Sequence, residues 1–206
     1  IVWEHAISDY GNSVLYSSAC NEYMIERMKR LLTRTIWALT KQLEAGDFVP
    51  VAYEMRFENG KIDRVDLCKD KDKVYVKVLD YKTGSKAFDV VALYHGLQLQ
   101  LMVYMDAAVK MTQKHYPDSE VIPAGVFYYR LNDPLVEKKV VGEEEEIWQK
   151  VLKELKVDGV MNLKDETLEH LDHCQAGESA VIPVKYNKNG SLSKKFKKFI
   201  GAGIGK

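Results

Sequence analysis

The sequence predicts an α/β fold, with a central mixed sheet that opens as an antiparallel meander and is flanked by helices. Three observations predict it. Two long stretches carry apolar residues at helical spacing. Three consecutive strand-like runs lie between them, and a further apolar, aromatic run follows the second. A chain of 206 residues suits one domain with a sizeable core. We therefore read residues 1–206 as a single domain and, since no initiating Met is present, as part of a much larger protein.

The first helix is expected over about residues 20–44. Met24, Met28, Leu31, Leu32, Ile36, Leu39 and Leu43 recur at its period, and Gly46 supplies a stop. Arg27, Lys29, Arg30, Arg34 and Lys41 form the other face, which reads either as ordinary solvation or as a surface for DNA. Strands are expected over residues 49–57, 61–69 and 74–82. Asn59-Gly60 marks a hairpin because both turn positions need positive φ. Residues 70–73 form a four-residue hairpin loop. A second helix over residues 89–114 carries the stripe Leu93, Leu97, Leu101, Tyr104, Met105 and Ala108. A buried strand over 124–131 follows, then an acidic-start helix over 143–156 with Ile147, Val151, Leu152 and Leu155 facing inward. A last strand over 180–186 precedes a turn at Asn187-Lys188-Asn189-Gly190.

Composition narrows the function classes. The formal net charge is zero, so contact with nucleic acid has to come from local patches, such as Lys194, Lys195, Lys197 and Lys198 near the end, which also read as a solvated tract. No apolar run approaches the ~18 residues that span a membrane, and the start lacks a signal-peptide layout. Cys20, Cys68 and Cys174 are odd in number, far apart and without a CxxC, which argues against a disulfide scaffold and for a reducing cytoplasm.

The chemistry is expected where parity conflicts with polarity. Val74, Val76, Val78, Asp80 and Lys82 share one strand face, so an apolar face ends in a carboxylate and an ammonium. Asp63 likewise shares a face with Val65 and Leu67. A loop at 70–73 pairs 69 with 74, 67 with 76, 65 with 78 and 63 with 80. Asp63 then faces Asp80 with Cβ atoms roughly 4.5–5.5 Å apart. Two like charges there are destabilising unless one is protonated or a cation lies between them. Mg²⁺ is the simplest such cation, and Lys82 on the same face could place or polarise a water. The competing reading is a surface salt bridge between Asp80 and Lys82 past the end of the core.

The ordered set Gly60-Lys-Ile-Asp63-Arg-Val-Asp66, Leu79-Asp80-Tyr81-Lys82-Thr83-Gly84 and Gln100-Leu-Met-Val-Tyr104 resembles the PD-(D/E)XK nuclease signature in its RecB-like form. Phe48-Val-Pro-Val, the run from Tyr94 to Asp106 and Pro123-Ala-Gly-Val-Phe-Tyr-Tyr extend the likeness to the AddB-type nuclease domain of bacterial AddAB helicase-nucleases. The resemblance covers most of the chain. It implies a restriction-endonuclease-like fold and hydrolysis of DNA phosphodiesters, as an exonuclease acting with a helicase in double-strand-break processing and recombinational repair. It implies Mg²⁺, with Mn²⁺ as a substitute, held by Asp63, Asp80 and the backbone carbonyl of Tyr81, and Lys82 assisting the attacking water. Gln100 and Tyr104 would hold DNA or the active-site frame, with Gln98 as a neighbouring alternative and a core role open for Tyr104. Glu54, on the Asp63 face by the Asn-Gly register, would be an accessory acid, with Arg56 opposite Asp63. Asp66 lies on the other face and is not expected to bind metal. The implied partners are DNA and an AddA-like helicase-nuclease subunit, in the cytoplasm.

Two departures follow. The family's upstream histidine ligand has no good match in His5, and His95 lacks the motif. The iron–sulfur cluster of full-length members is held by four cysteines whose spacing Cys174 does not match. Two rivals remain open: a noncatalytic DNA- or partner-binding module with the same fold, and a hydrolase whose paired carboxylates work without metal.

Overall fold

The computed structural model describes residues 18–58, 60–84, 88–96, 98–134 and 144–193. His5, the 143 position and the lysines at 194–198 lie outside them. Helix α1 (Ala19–Glu44) leads into three antiparallel strands, β1 (Val49–Phe57), β2 (Gly60–Asp70) and β3 (Lys73–Lys82). Helices α2 (Val90–Tyr94) and α3 (Gln100–His115) cross over to β4 (Glu120–Arg130), which lies parallel to β3. Then come α4 (Glu144–Glu154), β5 (Asp158–Met161), α5 (Asp165–Leu171) and a small ribbon of β6 (Gly177–Glu178) and β7 (Lys185–Tyr186). The main sheet has the order β1-β2-β3-β4-β5 and is mixed, as expected.

The β2–β3 register is the expected one: Lys69 pairs with Val74, Leu67 with Val76 and Val65 with Val78. Asp70 pairs with Lys73 as well, which shortens the loop to two residues and puts Lys71 at φ +54°. The β1–β2 register differs from expectation. Gly60, at φ +153°, is already paired with Phe57, so Arg56 faces Lys61 and not Asp63. Asn59 itself lies outside the described residues.

Apolar side chains cover both faces of the sheet. On one face Val65, Leu67, Val74, Val76, Val78, Val126 and Tyr128 pack against Leu101, Tyr104 and Ala108 of α3. On the other, Cys68, Tyr75, Leu79, Phe127 and Tyr129 meet Ala38 of α1, Val151 and Leu152 of α4, and Leu168 and Leu171 of α5. β3 is therefore buried along almost its whole length, which is why any charged group on it is conspicuous.

Four sequence expectations need correction. Helix α1 forms where expected and is capped by Ser18, whose side chain accepts from the Asn21 N–H. However, Met24, Met28 and Ile36 are exposed, and Ile25 and Ala38 are the buried residues, because this helix meets the sheet layer along a narrower stripe than the periodicity suggests. The expected 89–114 helix is broken between α2 and α3, where Gly96 takes φ +75°. Only Lys185 and Tyr186 of the expected 180–186 strand are in a strand. The Ser179 hydroxyl accepts from the N–H groups of Val181 and Ile182, curling the segment so that Val181, Ile182 and Val184 plug the core. Finally, β5 was not foreseen: it is only four residues long and contains Gly159.

Candidate active site

The end of β3 carries the expected residues. Asp80 is 3 % exposed, although it sits near the strand's C-terminal end. Lys82 Nζ lies 2.6 Å from Asp80 Oδ2. The pair is close but not aligned as a hydrogen bond, and Asp80 Oδ2 is a buried oxygen with no hydrogen-bond donor. Asp63 is half-buried on β2, and its Oδ2 accepts from the backbone N–H of Tyr81 at 2.8 Å. The ladder between β2 and β3 is regular as far as Arg64 and Leu79, so Asp63 meets the Asp80–Tyr81 step immediately past its end.

The electrostatics fit this geometry. Burial pushes the Asp80 carboxyl above its ordinary range, the Lys82 ammonium pulls it back, and the charge of Asp63 raises it further. Burial alone would lower the Lys82 ammonium, but Asp80 outweighs it, with help from Tyr128 and Tyr104, and the net direction is up. The result is a cationic Lys82 beside a carboxylate that is poorly satisfied in its charged form.

Lys82 also reaches α3. Its Nζ donates to Gln100 Oε1 at 3.4 Å, and Gln100 Nε2 donates to Tyr104 Oη at 2.6 Å. The break at Gly96 makes this possible, because it starts α3 at Gln100, beside the end of β3. Tyr104 is both core and site: its ring packs edge-on against Phe57 at 5.7 Å while its hydroxyl holds Gln100. Gln98 does a different job, with Oε1 accepting from the Asp89 N–H while Asp89 caps α2.

Other expected residues are placed elsewhere. Glu54 sits at φ +52°, is exposed, and forms a 2.8 Å ion pair with Lys61 that holds its carboxyl below the usual range. Asp66 faces away from the acid pair, as expected, and both its oxygens are taken by Arg64 and Lys77. His95 is exposed at the end of α2. On the basic face of α1, Arg30 and Arg34 both bind Asp133, Lys29 meets Glu26 and Lys41 meets Glu44, which favours the solvated reading of that face.

Two neighbours were missed from sequence. The Tyr128 ring lies 5.2 Å from Lys82 Nζ. Asp158 Oδ2 accepts from the Phe88 N–H at 3.0 Å and from Arg130 Nη2 at 3.1 Å, pinning the segment that follows β3. The signal for Tyr128 was the parallel β3–β4 pairing, which sets Asp80 beside Tyr128.

Known proteins share this arrangement of sequence. The PD-(D/E)XK nuclease superfamily model matches residues 2–184. Over 207 residues the chain is 41% identical to the B-type subunit of the ATP-dependent helicase/deoxyribonuclease of Lachnoclostridium phytofermentans, an overlap of 92% of this chain and 18% of that protein. The protein of the same name from Clostridium novyi is 35% identical over 202 residues, 88% of this chain and 18% of its own. That from Thermoanaerobacter sp. is 30% identical over 217 residues, 96% and 19%. The chain thus spans less than a fifth of the length of these relatives. A match running from the first helix through the β6–β7 region, across a sheet that pairs Asp63 with the Asp80–Lys82 step, shows that the chain belongs to the PD-(D/E)XK nuclease superfamily.

Proposed function

We propose that this chain is the Mg²⁺-dependent DNA nuclease domain of a helicase-nuclease, and that it hydrolyses phosphodiester bonds as an exonuclease during double-strand-break processing. The observation that carries the reading is the buried, undonated Oδ2 of Asp80 beside a second carboxylate, Asp63. A cation relieves both the desolvation and the repulsion at that spot. All-oxygen donors suit a hard ion such as Mg²⁺, with Mn²⁺ as a substitute.

Asp63, Asp80 and the Tyr81 carbonyl would hold the ion. When bound, it supplies charge that makes water more acidic and offsets the negative charge of the scissile phosphate. The chain's own groups do the rest. Lys82, held between Asp80 and Gln100, presents N–H donors to the attacking water or a phosphate oxygen. Gln100 and Tyr104 restrict where that ammonium can go. The sheet beneath fixes both acids on adjacent strands, so little has to reorganise during the reaction.

The names of the relatives support the wider setting: DNA as substrate, an AddA-like partner that delivers ends, and action in the cytoplasm. Among the described residues no helix is long and apolar enough to cross a membrane. The test is cleavage of end-labelled duplex DNA with Mg²⁺, comparing wild type with Asp80→Ala. A loss of roughly 10²–10³-fold is expected. Equal cleavage by both proteins sinks the assignment, and cleavage that persists in chelator favours metal-free acid–base chemistry.

A further inference from the structure

A second group of ligating side chains lies on the far side of the sheet. Cys68 is five residues along β2 from Asp63, so it faces the opposite way, roughly 16 Å further down the strand. One ligand atom each from Asp47, Cys68 and His170 all fall within 4.8 Å of one another. Asp47 Oδ2 is 2.8 Å from His170 Nδ1, and its Oδ1 is 3.0 Å from His173 Nε2. The nuclease reading uses none of these residues.

The backbone is built to hold the group together. The Asp47 N–H donates to the His170 carbonyl at 2.9 Å, and the His173 N–H donates to the Ala45 carbonyl at 2.7 Å. Between these two bonds sits Gly46, where a Cβ would fall 2.5 Å from the His170 carbonyl oxygen. The close approach therefore requires glycine, and it brings two imidazoles and a carboxylate to a buried thiol. A hydrogen-bonded clasp accounts for the Asp47–histidine contacts. It does not account for the thiol converging on them.

The geometry points to a transition-metal site of the zinc class, held by Asp47, Cys68 and His170, with His173 closing the fourth position. Sulfur and imidazole donors suit Zn²⁺ and disfavour Mg²⁺, so the site is chemically distinct from the acid pair. Around zinc, ligand atoms sit roughly 3.3–3.8 Å apart, so the group must close by about an ångström. The exposed side chains of Asp47 and His173 have room to make that movement. The ion would join the α1–β1 connection, β2 and the end of α5, a structural staple across segments up to 126 residues apart.

Cobalt tests this without reference to cleavage. The 206-residue chain is stripped of metal and titrated with Co²⁺. One equivalent should produce the near-ultraviolet thiolate-to-cobalt band and the visible bands of a tetrahedral site, and Zn²⁺ should abolish both. Zn²⁺ should also raise the thermal midpoint by about 5–10 °C. Cys68→Ser should lose the band, while Cys20→Ser, Cys174→Ser and Asp80→Asn should keep it. His173→Ala changes an exposed residue and so guards against a folding failure. It should retain the fold and weaken Co²⁺ binding at least tenfold. No thiolate band in the wild type at millimolar Co²⁺, or a band that survives Cys68→Ser, overturns the proposal.

Discussion

The backbone N–H of Tyr81 donates to Asp63 Oδ2 at 2.8 Å, so the residue between Asp80 and Lys82 fixes the first acid of the pair. The two acids are thus held differently. Asp63 is tied by a directional, charge-assisted bond from the strand itself, whereas Asp80 has only the Lys82 ammonium beside it and keeps an undonated oxygen. Asp63→Asn retains an acceptor for the Tyr81 N–H, and Asp63→Ala does not. Both should lose Mg²⁺ binding by calorimetry. In urea unfolding, the Ala variant should be about 1–2 kcal/mol less stable than the Asn variant. Equal stability would show that the bond contributes only to function.

Asp80 should trade stability for activity. Its folded-state carboxyl is raised above the ordinary 3.8, chiefly by burial. The folded chain therefore binds that proton more tightly than the unfolded chain. The associated stability is fully present below the unfolded value and is lost as pH rises through the folded one. At neutral pH the charge is a cost. Asp80→Asn should be as stable as wild type or more so at pH 7 without metal, with a shallower stability–pH slope in the acid range, and should lose cleavage. Added Mg²⁺ should stabilise only the wild type, by about 2.7 kcal/mol at 100 times its dissociation constant. Denaturant midpoints from pH 3 to 7 check this. A marked loss of stability at pH 7 would mean the Lys82 ion pair outweighs burial.

Tyr104 should separate into two roles. Tyr104→Phe keeps the ring against Phe57 and removes the hydroxyl that accepts from Gln100. We expect an unfolding midpoint near wild type and a fall in kcat of roughly tenfold, matched by Gln100→Ala. Tyr104→Ala should instead cost ~3–5 kcal/mol of stability by opening a cavity beneath α3. Steady-state kinetics beside thermal melts distinguish the two, and full activity in Tyr104→Phe would leave Tyr104 a core residue only.

The site was legible in sequence where a short-range rule sufficed. The β2–β3 register followed from alternation and a charged loop, and it was enough to bring Asp63 toward Asp80. The same register sets Asp66 against Lys77, a buried pair that could have been read from it. The β1–β2 register failed because Gly60 belongs to the strand, and one shifted turn residue moves every partner. The contact between Lys82 and Gln100 depends on a helix break at Gly96, which the apolar stripe from Leu93 to Ala108 conceals. Asp47, Cys68 and His170 meet only through tertiary packing, and no periodicity links them.

The buried triad Arg64–Asp66–Lys77 makes the last prediction. Asp66 is 0 % exposed and accepts from Arg64 Nε at 2.6 Å and Nη2 at 2.8 Å, with Lys77 Nζ 3.0 Å away. Two cations share one anion, and they are not equivalent. Burial would lower Arg64, but its two-pronged bond to Asp66 more than compensates, and the net direction is up. Lys77 is lowered by burial despite Asp66. A lowered folded-state value means its stability contribution is present above the ordinary 10.5 and lost as pH falls through the folded value, so at neutral pH its charge is a cost. Removing Asp66 leaves two buried cations, and Asp66→Asn should cost ~3–5 kcal/mol. Lys77→Met keeps the stem's packing beside Phe48 and leaves the Arg64–Asp66 bond intact, so its urea midpoint should equal or exceed wild type. A loss above about 2 kcal/mol in Lys77→Met would show that Asp66 needs both cations, and that this triad, rather than one bidentate pair, holds β2 to β3 beneath the acid pair.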